Sequence, residues 1–288
     1  MAAVYIKEIK SYFTSMTGSV FAAFMIMFGS FYFVVYNLRG AYTDYEYTLA
    51  SMIYILLIVI PIISMRLYSE EKRQKTDQLL LTSPISVTSI VLGKYFAVIT
   101  LFALPTAFYA LFPAIIRIYA PGANTAPAFA TLFGFFLLGA AALSVGMFIS
   151  CLTESLVISA VVCFAVLLIC FLMQPIITLS ASTAFSAVLV LLLLCAAAAA
   201  LLYFVLKNKT AAAVTGAVCA AAVLLVYFLK IEWITVILTK LLSVFALFIP
   251  FYQFAYGIFD YTSVLYYLSV TAVMLFLSVQ AIKKHRLA

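Results

Sequence analysis

The chain has 288 residues, of which 68% are hydrophobic and only 9% are charged, and its formal net charge at pH 7 is +7. Soluble domains carry roughly 25% charged residues, so this composition excludes an ordinary soluble protein. It predicts an all-α integral membrane protein. The basic residues follow the ends of apolar segments, a distribution that argues against nucleic-acid binding and favours contact with lipid headgroups.

A short segment with mixed charge opens the chain. In Ala2–Thr14, Lys7, Glu8 and Lys10 alternate with apolar and aromatic residues, a pattern typical of a helix that lies in the membrane interface. Charge-free stretches of about 20 residues then predict eight membrane spans. The predicted spans lie at about residues 20–37, 48–65, 87–116, 128–151, 156–179, 184–206, 211–229 and 262–282.

Two segments depart from a simple membrane span. The third span is long, and Pro105 and Pro113 predict a kink within it. Residues 241–259 are uncharged and nearly long enough to cross the membrane, but they contain Pro250 and Gly257. We therefore expect a broken or re-entrant helix there, before the last span.

The distribution of basic residues predicts the orientation. With eight crossings and a cytoplasmic N-terminus, twelve of the 16 Lys and Arg residues lie on the cytoplasmic side and four lie outside. This is the asymmetry that membrane insertion favours. A ninth crossing would place the basic C-terminal tail outside, so both termini are predicted to be cytoplasmic.

The longest polar run, Ser69–Ser86, separates the second and third spans. Read as a helix, it pairs Glu71 with Lys75 and Arg73 with Asp77 at a spacing of four. The side chains expected to face water are Glu70, Lys72, Arg73, Thr76 and Asp77, and those expected to face the membrane are Leu67, Leu79 and Leu80. Ser83 and Pro84 are predicted to start the next helix. The spacing leaves two alternatives open, a solvated loop and a short helix presented to a soluble partner.

Few residues indicate chemistry. The chain has no Gly-rich loop followed by Lys-Ser or Lys-Thr, so no nucleotide site is predicted. The five cysteines lie in or beside apolar segments without a Cys-x-x-Cys pair, and we expect buried thiols and no metal site. His285 lies in the basic tail and is expected to be solvated. Lys94 is the one charge within the predicted third span, where we expect it to extend towards the cytoplasmic interface.

Two side-chain patterns have alternative interpretations. Ala142, Gly146 and Ser150 form a stripe of small residues in the fourth span, which serves either packing within the chain or a subunit interface. The aromatic residues around 248–259 lie on the predicted outer side, as an interfacial belt or as a contact for an emerging substrate. The residues proposed for that substrate contact are Phe251, Tyr252 and Phe254.

Four segments resemble a known family. The strongest is MRLYSEEKRQKTDQLLLTSPISVTSIVLGKY, Met65–Tyr95, and the supporting ones are Ile6–Phe21, Phe135–Ser155 and Phe254–Val270. In these the chain resembles permease subunits of ABC type-2 exporters, most closely the gliding-motility-type and related Firmicute permeases. The resemblance implies a bacterial plasma-membrane location and export of an unidentified, amphiphilic substrate.

The resemblance also implies a division of labour. Ala2–Thr14 would be the elbow helix, and Ser69–Thr82 the coupling helix that docks on a separate ATPase subunit. That subunit, and not this chain, would bind ATP and Mg²⁺, and a second permease copy or a sister permease would complete the complex. The implied docking residues are Glu70, Glu71, Lys72, Arg73, Thr76 and Asp77, with Leu79 and Leu80 anchoring the helix to the membrane bundle.

One feature departs from the family, and two other functions remain as alternatives. Relatives commonly have six spans, so the hydrophobic pair at about 184–229 is an addition. The alternative functions are a secondary transporter that needs no ATPase and a membrane anchor or assembly subunit that transports nothing. The scarcity of ionisable groups inside the spans counts against the secondary transporter without excluding it.

Overall fold

A computed structural model describes residues 1–40, 42–75, 85–122, 125–181, 239–240 and 242–287. Within these ranges the regular structure is helical and contains no strand, as the composition predicts. The chain divides into two compact units. The first comprises residues 1–168 and 250–288, and the second comprises residues 169–249.

Ten α-helices have described bounds, in the following order. They are α1 (Ala2–Thr14), α2 (Met16–Phe33), α3 (Glu46–Ser64), α4 (Ser69–Arg73), α5 (Val87–Tyr109), α6 (Leu111–Tyr119), α7 (Ala126–Leu152), α8 (Leu156–Ala181), α9 (Ile249–Ala255) and α10 (Tyr261–Leu287). A π-helical segment, Val34–Arg39, continues α2.

Six helical stretches among the described residues are long and apolar enough to cross a membrane. They are Met16–Arg39, Glu46–Arg73, Val87–Tyr119, Ala126–Leu152, Leu156–Thr178 and Tyr261–Lys284. Each overlaps one of the predicted spans, which confirms six of them as long apolar helices. The other two, at about 184–206 and 211–229, lie outside the described residues, so the count of eight stays a prediction.

The third span is interrupted between its two prolines, and the predicted kink stays a prediction. It breaks at Ala110 between α5 and α6, with Pro105 inside α5 and Pro113 in the first turn of α6. A proline is tolerated in a first turn because the N–H groups there have no intrahelical partner. The predicted start of α5 at Ser83 and Pro84 is wrong. The N-cap is Ser86, whose side chain accepts a hydrogen bond from the Ser89 N–H, a common way to satisfy an otherwise unpaired donor.

Helix α7 forms the centre of the first unit. Most of its residues are buried, and it packs against α3, α5 and α10. A helix that is apolar on all sides is expected in such a central position. Phe102 of α5 lies against Gly139 so closely that a side chain there would overlap its ring, and the Tyr95 hydroxyl of α5 donates to the Ala140 carbonyl at 3.0 Å.

The predicted stripe of small residues lies inside the first unit. Ala142, Gly146 and Ser150 are all buried, and a Cβ at position 146 would lie 2.5 Å from Ser64 Cβ and 3.1 Å from Cys163 Sγ. The absence of a side chain at Gly146 therefore lets α3 and α8 approach α7. These contacts favour packing within the chain over a subunit interface.

The segment before the last span is not one continuous helix. Helical residues 242–245 are followed by a break at Ala246–Phe248, and α9 then spans seven residues. Seven residues rise about 10 Å, whereas the hydrocarbon core is about 30 Å thick. The prediction of a broken helix is confirmed, and its re-entrant path stays a prediction. In the second unit, Phe171 and Phe248 meet edge to face at 5.6 Å.

Helix α10 begins with a side-chain cap. The Asp260 carboxylate accepts hydrogen bonds from the N–H groups of Thr262 at 3.0 Å and Ser263 at 3.2 Å. The Thr262 N–H and the Ser263 hydroxyl hold the pKa of Asp260 below its usual value. This cap marks the start of the last candidate span, one residue before its predicted boundary.

Candidate functional site

The polar run after α3 folds differently from its predicted form. Helix α4 begins at Ser69 but ends at Arg73, and Lys75 takes a left-handed backbone conformation with φ of 57°. A continuous helix over Ser69–Thr82 is therefore wrong, because a residue in this conformation does not continue a right-handed helix. The remaining predicted docking residues, Thr76, Asp77, Leu79 and Leu80, lie outside the described residues and stay predictions.

The predicted pair of Glu71 with Lys75 is wrong, and the predicted pair of Arg73 with Asp77 stays a prediction because Asp77 lies outside the described residues. Glu71 lies 2.9 Å from Lys94 Nζ and 3.8 Å from Lys7 Nζ, not beside Lys75, because the helix ends before Lys75 could face it. Glu70 forms a bidentate pair with Arg66, with Nε and Nη2 at 2.7 and 2.9 Å from its two oxygens. Both glutamates therefore hold α4 against other segments of the same chain.

The N-terminus of α4 is capped by a hydroxyl from another helix. Ser150 Oγ of α7 accepts hydrogen bonds from the N–H groups of both Tyr68 and Ser69, each at 3.0 Å. The Lys72 ammonium donates to the carbonyl of Cys151, at 2.6 Å, near the C-terminus of α7. Each contact satisfies a backbone group that a helix end leaves unpaired. Helix α4 is therefore fastened to the end of α7.

Lys94 of α5 is buried next to α4, with 1% of its side chain exposed. Its Nζ donates to Glu8 Oε1 at 3.1 Å and to the Leu67 carbonyl at 2.9 Å, and it also pairs with Glu71. An ammonium has three hydrogens, and three oxygens surround this one. The ring of Tyr68 adds a cation–π contact at 5.0 Å. The expectation that Lys94 extends to the interface is wrong, because its partners lie inside the protein.

Leu67, expected to face the membrane, is also inside. It is 1% exposed and lies in the turn between α3 and α4, where its carbonyl accepts the bond from Lys94. This turn, Met65–Tyr68, joins α3 to α4 and contacts α5 through the Leu67 carbonyl. The predicted orientation of Leu67 fails because the turn, not a continuous helix, sets the direction of its side chain.

Helix α1 completes the site. Val4, Glu8 and Tyr12 are buried at a spacing of four, so one face of α1 lies against the protein, where it packs on α2 and α5. A Cβ at Gly93 of α5 would lie 3.0 Å from Val4 Cβ, so this glycine allows the close approach next to Lys94. Burial, together with the nearby Glu8 carboxylate, raises the pKa of Tyr12 well above its usual value.

We call Lys7, Glu8, Glu71 and Lys94 the ion cluster. Its two cations and two anions cancel, and its members come from α1, α4 and α5. Lys94, Glu8 and Glu71 are largely enclosed, whereas Lys7 is exposed at the edge of the cluster. A mutually paired set of this kind holds helices in one arrangement. Beyond it, the end of α4 at Arg73 and the following Gln74 and Lys75 are exposed. The site is therefore a firmly attached short helix whose end is accessible to a partner.

The predicted substrate contacts lie at another place in the first unit. Phe251 and Phe254 are both fully buried, and the Phe254 carbonyl accepts a 2.7 Å hydrogen bond from Thr131 of α7. Neither ring is accessible to a substrate in this structure. Tyr252 is half-buried and lines a pocket of about 520 Å³ together with Asp44.

Sequence reasoning missed the role of Lys94, Glu8 and Ser150. One signal was present, since Lys94 is the single charge in its predicted span and such a charge usually has a partner inside the protein. The identity of that partner could not be inferred, because Glu8 lies 86 residues away along the chain.

Residues 5–188, more than half of the chain, match the family model described as ABC-2 family transporter protein. This range contains most of α1, all of α4 and α5, and the whole ion cluster. No curated protein and no solved structure matches the chain. On the strength of the family match, the chain belongs to the ABC-2 family of transporter proteins.

Proposed function

We propose that this protein is the permease subunit of an ABC exporter in a bacterial plasma membrane, with both termini in the cytoplasm. It couples ATP hydrolysis by a separate ATPase subunit to the movement of an amphiphilic substrate. Permeases of this family work with an ABC ATPase, which supplies the nucleotide chemistry. A second permease copy or a sister permease completes the translocation pathway.

The attachment of α4 carries this proposal. Its start is capped by Ser150 of α7, and Glu71 joins it to Lys94 of α5 and Lys7 of α1. A force applied to the end of α4 therefore acts on three other helices at once. A solvated loop would have no need of such contacts, so they favour a helix that transmits movement.

The exposed end of α4 supplies the docking contact. ATP binding draws the two ATPase subunits together, and each pushes on the α4 region that it holds. Because α4, α1 and α5 are joined through the ion cluster, they move as one body relative to the rest of the membrane helices. The pathway between the two permease subunits then changes from facing inward to facing outward.

The ends of several helices support the cytoplasmic placement of this region. Cys151, near the end of α7, forms side-chain contacts with Ser278 in the last turns of α10, and its carbonyl binds Lys72 of α4. The start of α1, the helix α4 and the end of α10 therefore share one side of the first unit. The basic residues of that side match the positive charge that cytoplasmic surfaces carry.

Charge reversal at the exposed end of α4 tests the docking role. In Arg73→Glu combined with Lys75→Glu, we expect at least a tenfold loss of ATPase subunit recovered with the purified permease, because the docking surface changes sign. The measurement is the stoichiometry of ATPase to permease after co-purification, with the ATPase activity of the complex as a second readout.

Lys10→Glu is the matched control, because Lys10 is an exposed lysine of α1 that lies outside the ion cluster. It should leave recovery of the ATPase near that of the parent. Membrane insertion and thermal stability should be the same in all three proteins. Full recovery of the ATPase by the doubly reversed variant would overturn the assignment of α4 as the docking helix.

A further inference from the structure

An apolar groove runs along the outside of α2 and α3 in the first unit. Its volume is about 520 Å³, and its walls include Val20 and Phe24 of α2 and Val59 and Ile62 of α3. Several of these side chains are strongly exposed, Val20 to 59% and Ile62 to 53%. In a helix that crosses a membrane, such a surface is in contact with hydrocarbon, so an acyl chain is the natural occupant of the groove.

The groove continues into a polar cleft. The cleft has a volume of about 320 Å³ and lies between α1 and α4. Tyr12, Thr17, Arg66 and Glu70 line both spaces, so the two adjoin each other. The combined cavity is apolar at one end and charged at the other, which is the shape of a single amphiphile.

The charges of the cleft define the headgroup. Its walls carry three cations and three anions, namely Lys7, Arg66 and Lys94 with Glu8, Glu70 and Glu71. An equal number of each sign disfavours a purely anionic headgroup relative to one that carries both charges. A phosphate joined to an ammonium is the membrane headgroup that matches this arrangement.

The accessible groups of the cleft can bind such a headgroup. Lys7 is 63% exposed and its described ion pair, with Glu71, is long at 3.8 Å. Arg66 uses Nε and Nη2 for Glu70, and its Nη1 hydrogens remain to donate to a phosphate. The Glu70 side chain is 30% exposed, so its carboxylate can accept hydrogen bonds from an ammonium. Lys94 is enclosed and takes no part.

We propose that the groove and cleft together bind one phospholipid with a phosphate–ethanolamine headgroup. One acyl chain fills the groove, Lys7 and Arg66 bind the phosphate, and Glu70 accepts hydrogen bonds from the primary ammonium. A choline headgroup has the same charges but no N–H to donate, so the site selects ethanolamine over choline. Gln74 at the exposed end of α4 lines part of the cleft, but the lipid is bound by Lys7, Arg66 and Glu70. Lipid binding therefore does not require Arg73, Lys75 or ATPase docking.

Lipid selectivity of the intact protein tests the proposal. The purified chain is titrated with phosphatidylethanolamine, phosphatidylcholine or phosphatidylglycerol of identical acyl chains, and bound lipid is counted by native mass spectrometry. We expect one phosphatidylethanolamine bound per chain at least fivefold more tightly than either of the other two. Equal binding of all three would mean non-specific solvation of the surface and would overturn the proposal. So would a preference for phosphatidylglycerol, which would mark a simple basic patch.

Two variants separate the headgroup from the chain. Arg66→Gln combined with Glu70→Gln keeps both side chains polar, removes both charges and should abolish the preference for ethanolamine. Val20→Trp fills the groove from an exposed position and should reduce binding of the selected lipid at least fivefold. Unchanged lipid binding by Val20→Trp would exclude the groove as the chain site.

Two controls complete the design. Lys10→Gln alters a lysine of α1 that does not line the cleft, and it should bind lipid like the parent. The docking variant, Arg73→Glu with Lys75→Glu, should lose the ATPase yet keep its lipid preference. Recovery of the ATPase therefore tests the docking proposal, and lipid selectivity tests the lipid proposal, independently of each other.

Discussion

The Lys94 ammonium binds three oxygens that belong to three different segments of the chain. Glu8 comes from α1, Glu71 from α4, and the Leu67 carbonyl from the turn after α3. A buried charge is costly unless such partners surround it, and removal of one member leaves the others unpaired. The energetic consequence of losing Lys94 therefore exceeds the small contribution of an exposed ion pair.

Removal of the Lys94 ammonium should destabilise the protein. Lys94→Met should lower the free energy of unfolding by about 3–5 kcal/mol, because Glu8 and Glu71 then lose the buried cation that they share and only the exposed Lys7, 3.8 Å from Glu71, remains near them. The change is measured as chemical or thermal unfolding of the purified protein in detergent, together with recovery of the ATPase.

Two companion variants make that result specific. Lys10→Met removes an exposed lysine of α1 and should change stability by less than about 0.5 kcal/mol. Adding Glu8→Gln and Glu71→Gln to Lys94→Met removes the uncompensated charges and should restore part of the lost stability. If Lys94→Met alone is as stable as the parent, the ion cluster does not hold α1, α4 and α5 together.

At the scale of elements, the contact of α3 and α8 with α7 sets the frame to which α4 is fastened. Gly146 packs closely against Ser64 of α3 and Cys163 of α8. Ser150, one turn further along α7, caps α4. Small residues along one face of a helix let its neighbours approach, and the gain is van der Waals contact that lipid cannot supply. Separation of α3 from α7 would therefore also weaken the attachment of α4.

Gly146→Ala tests this packing. The added methyl group would lie 2.5 Å from Ser64 Cβ, so the helices must move apart, and we expect a loss of about 1–3 kcal/mol of stability. Gly122→Ala is the control, because a Cβ at Gly122 meets no atom within 4 Å. Equal unfolding midpoints for the two variants would contradict the close approach of α3 to α7.

The elements differ in how well the sequence predicts them. The helix Ala2–Thr14 has its predicted bounds, and α3 and α7 begin within two residues of theirs, because long charge-free stretches and a clear polar boundary mark them. Helix α4 is shorter than predicted because the backbone takes a left-handed conformation at Lys75. The sequence does not predict this turn, since Lys75 is neither a glycine nor an asparagine. The ion pairs of Glu71 are with Lys7 and Lys94, which are distant in sequence, so helical spacing does not predict them.

The same contrast holds for the candidate site. Ser69–Arg73 was predicted as part of a helix from its polar character and from the family resemblance. The cap by Ser150 and the enclosure of Lys94 depend on which helices pack together, and no local pattern in the sequence determines that choice. Phe251 and Phe254 are aromatic and near a predicted interface, yet packing against α7 buries them.

At the scale of the whole molecule, the central claim is that α4 is a cytoplasmic attachment point for an ATPase. Membership of the ABC-2 family supports the existence of that partner, and the exposed end of α4 supplies a surface for it. If this claim is correct, Arg73 lies on the cytoplasmic side of the membrane and the ATPase subunit covers it. Both parts can be read from the reactivity of one introduced thiol.

The most direct test is therefore thiol labelling of Arg73→Cys with a membrane-impermeant maleimide, with the parent protein as the background for its native cysteines. The account predicts no labelling in intact cells, rapid labelling in inside-out vesicles, and at least fivefold slower labelling once the ATPase subunit is bound. Gly122→Cys, in the turn before α7, should show the opposite sidedness and no response to the ATPase. Labelling of Arg73→Cys from outside intact cells, or a rate that the bound ATPase leaves unchanged, would contradict the account.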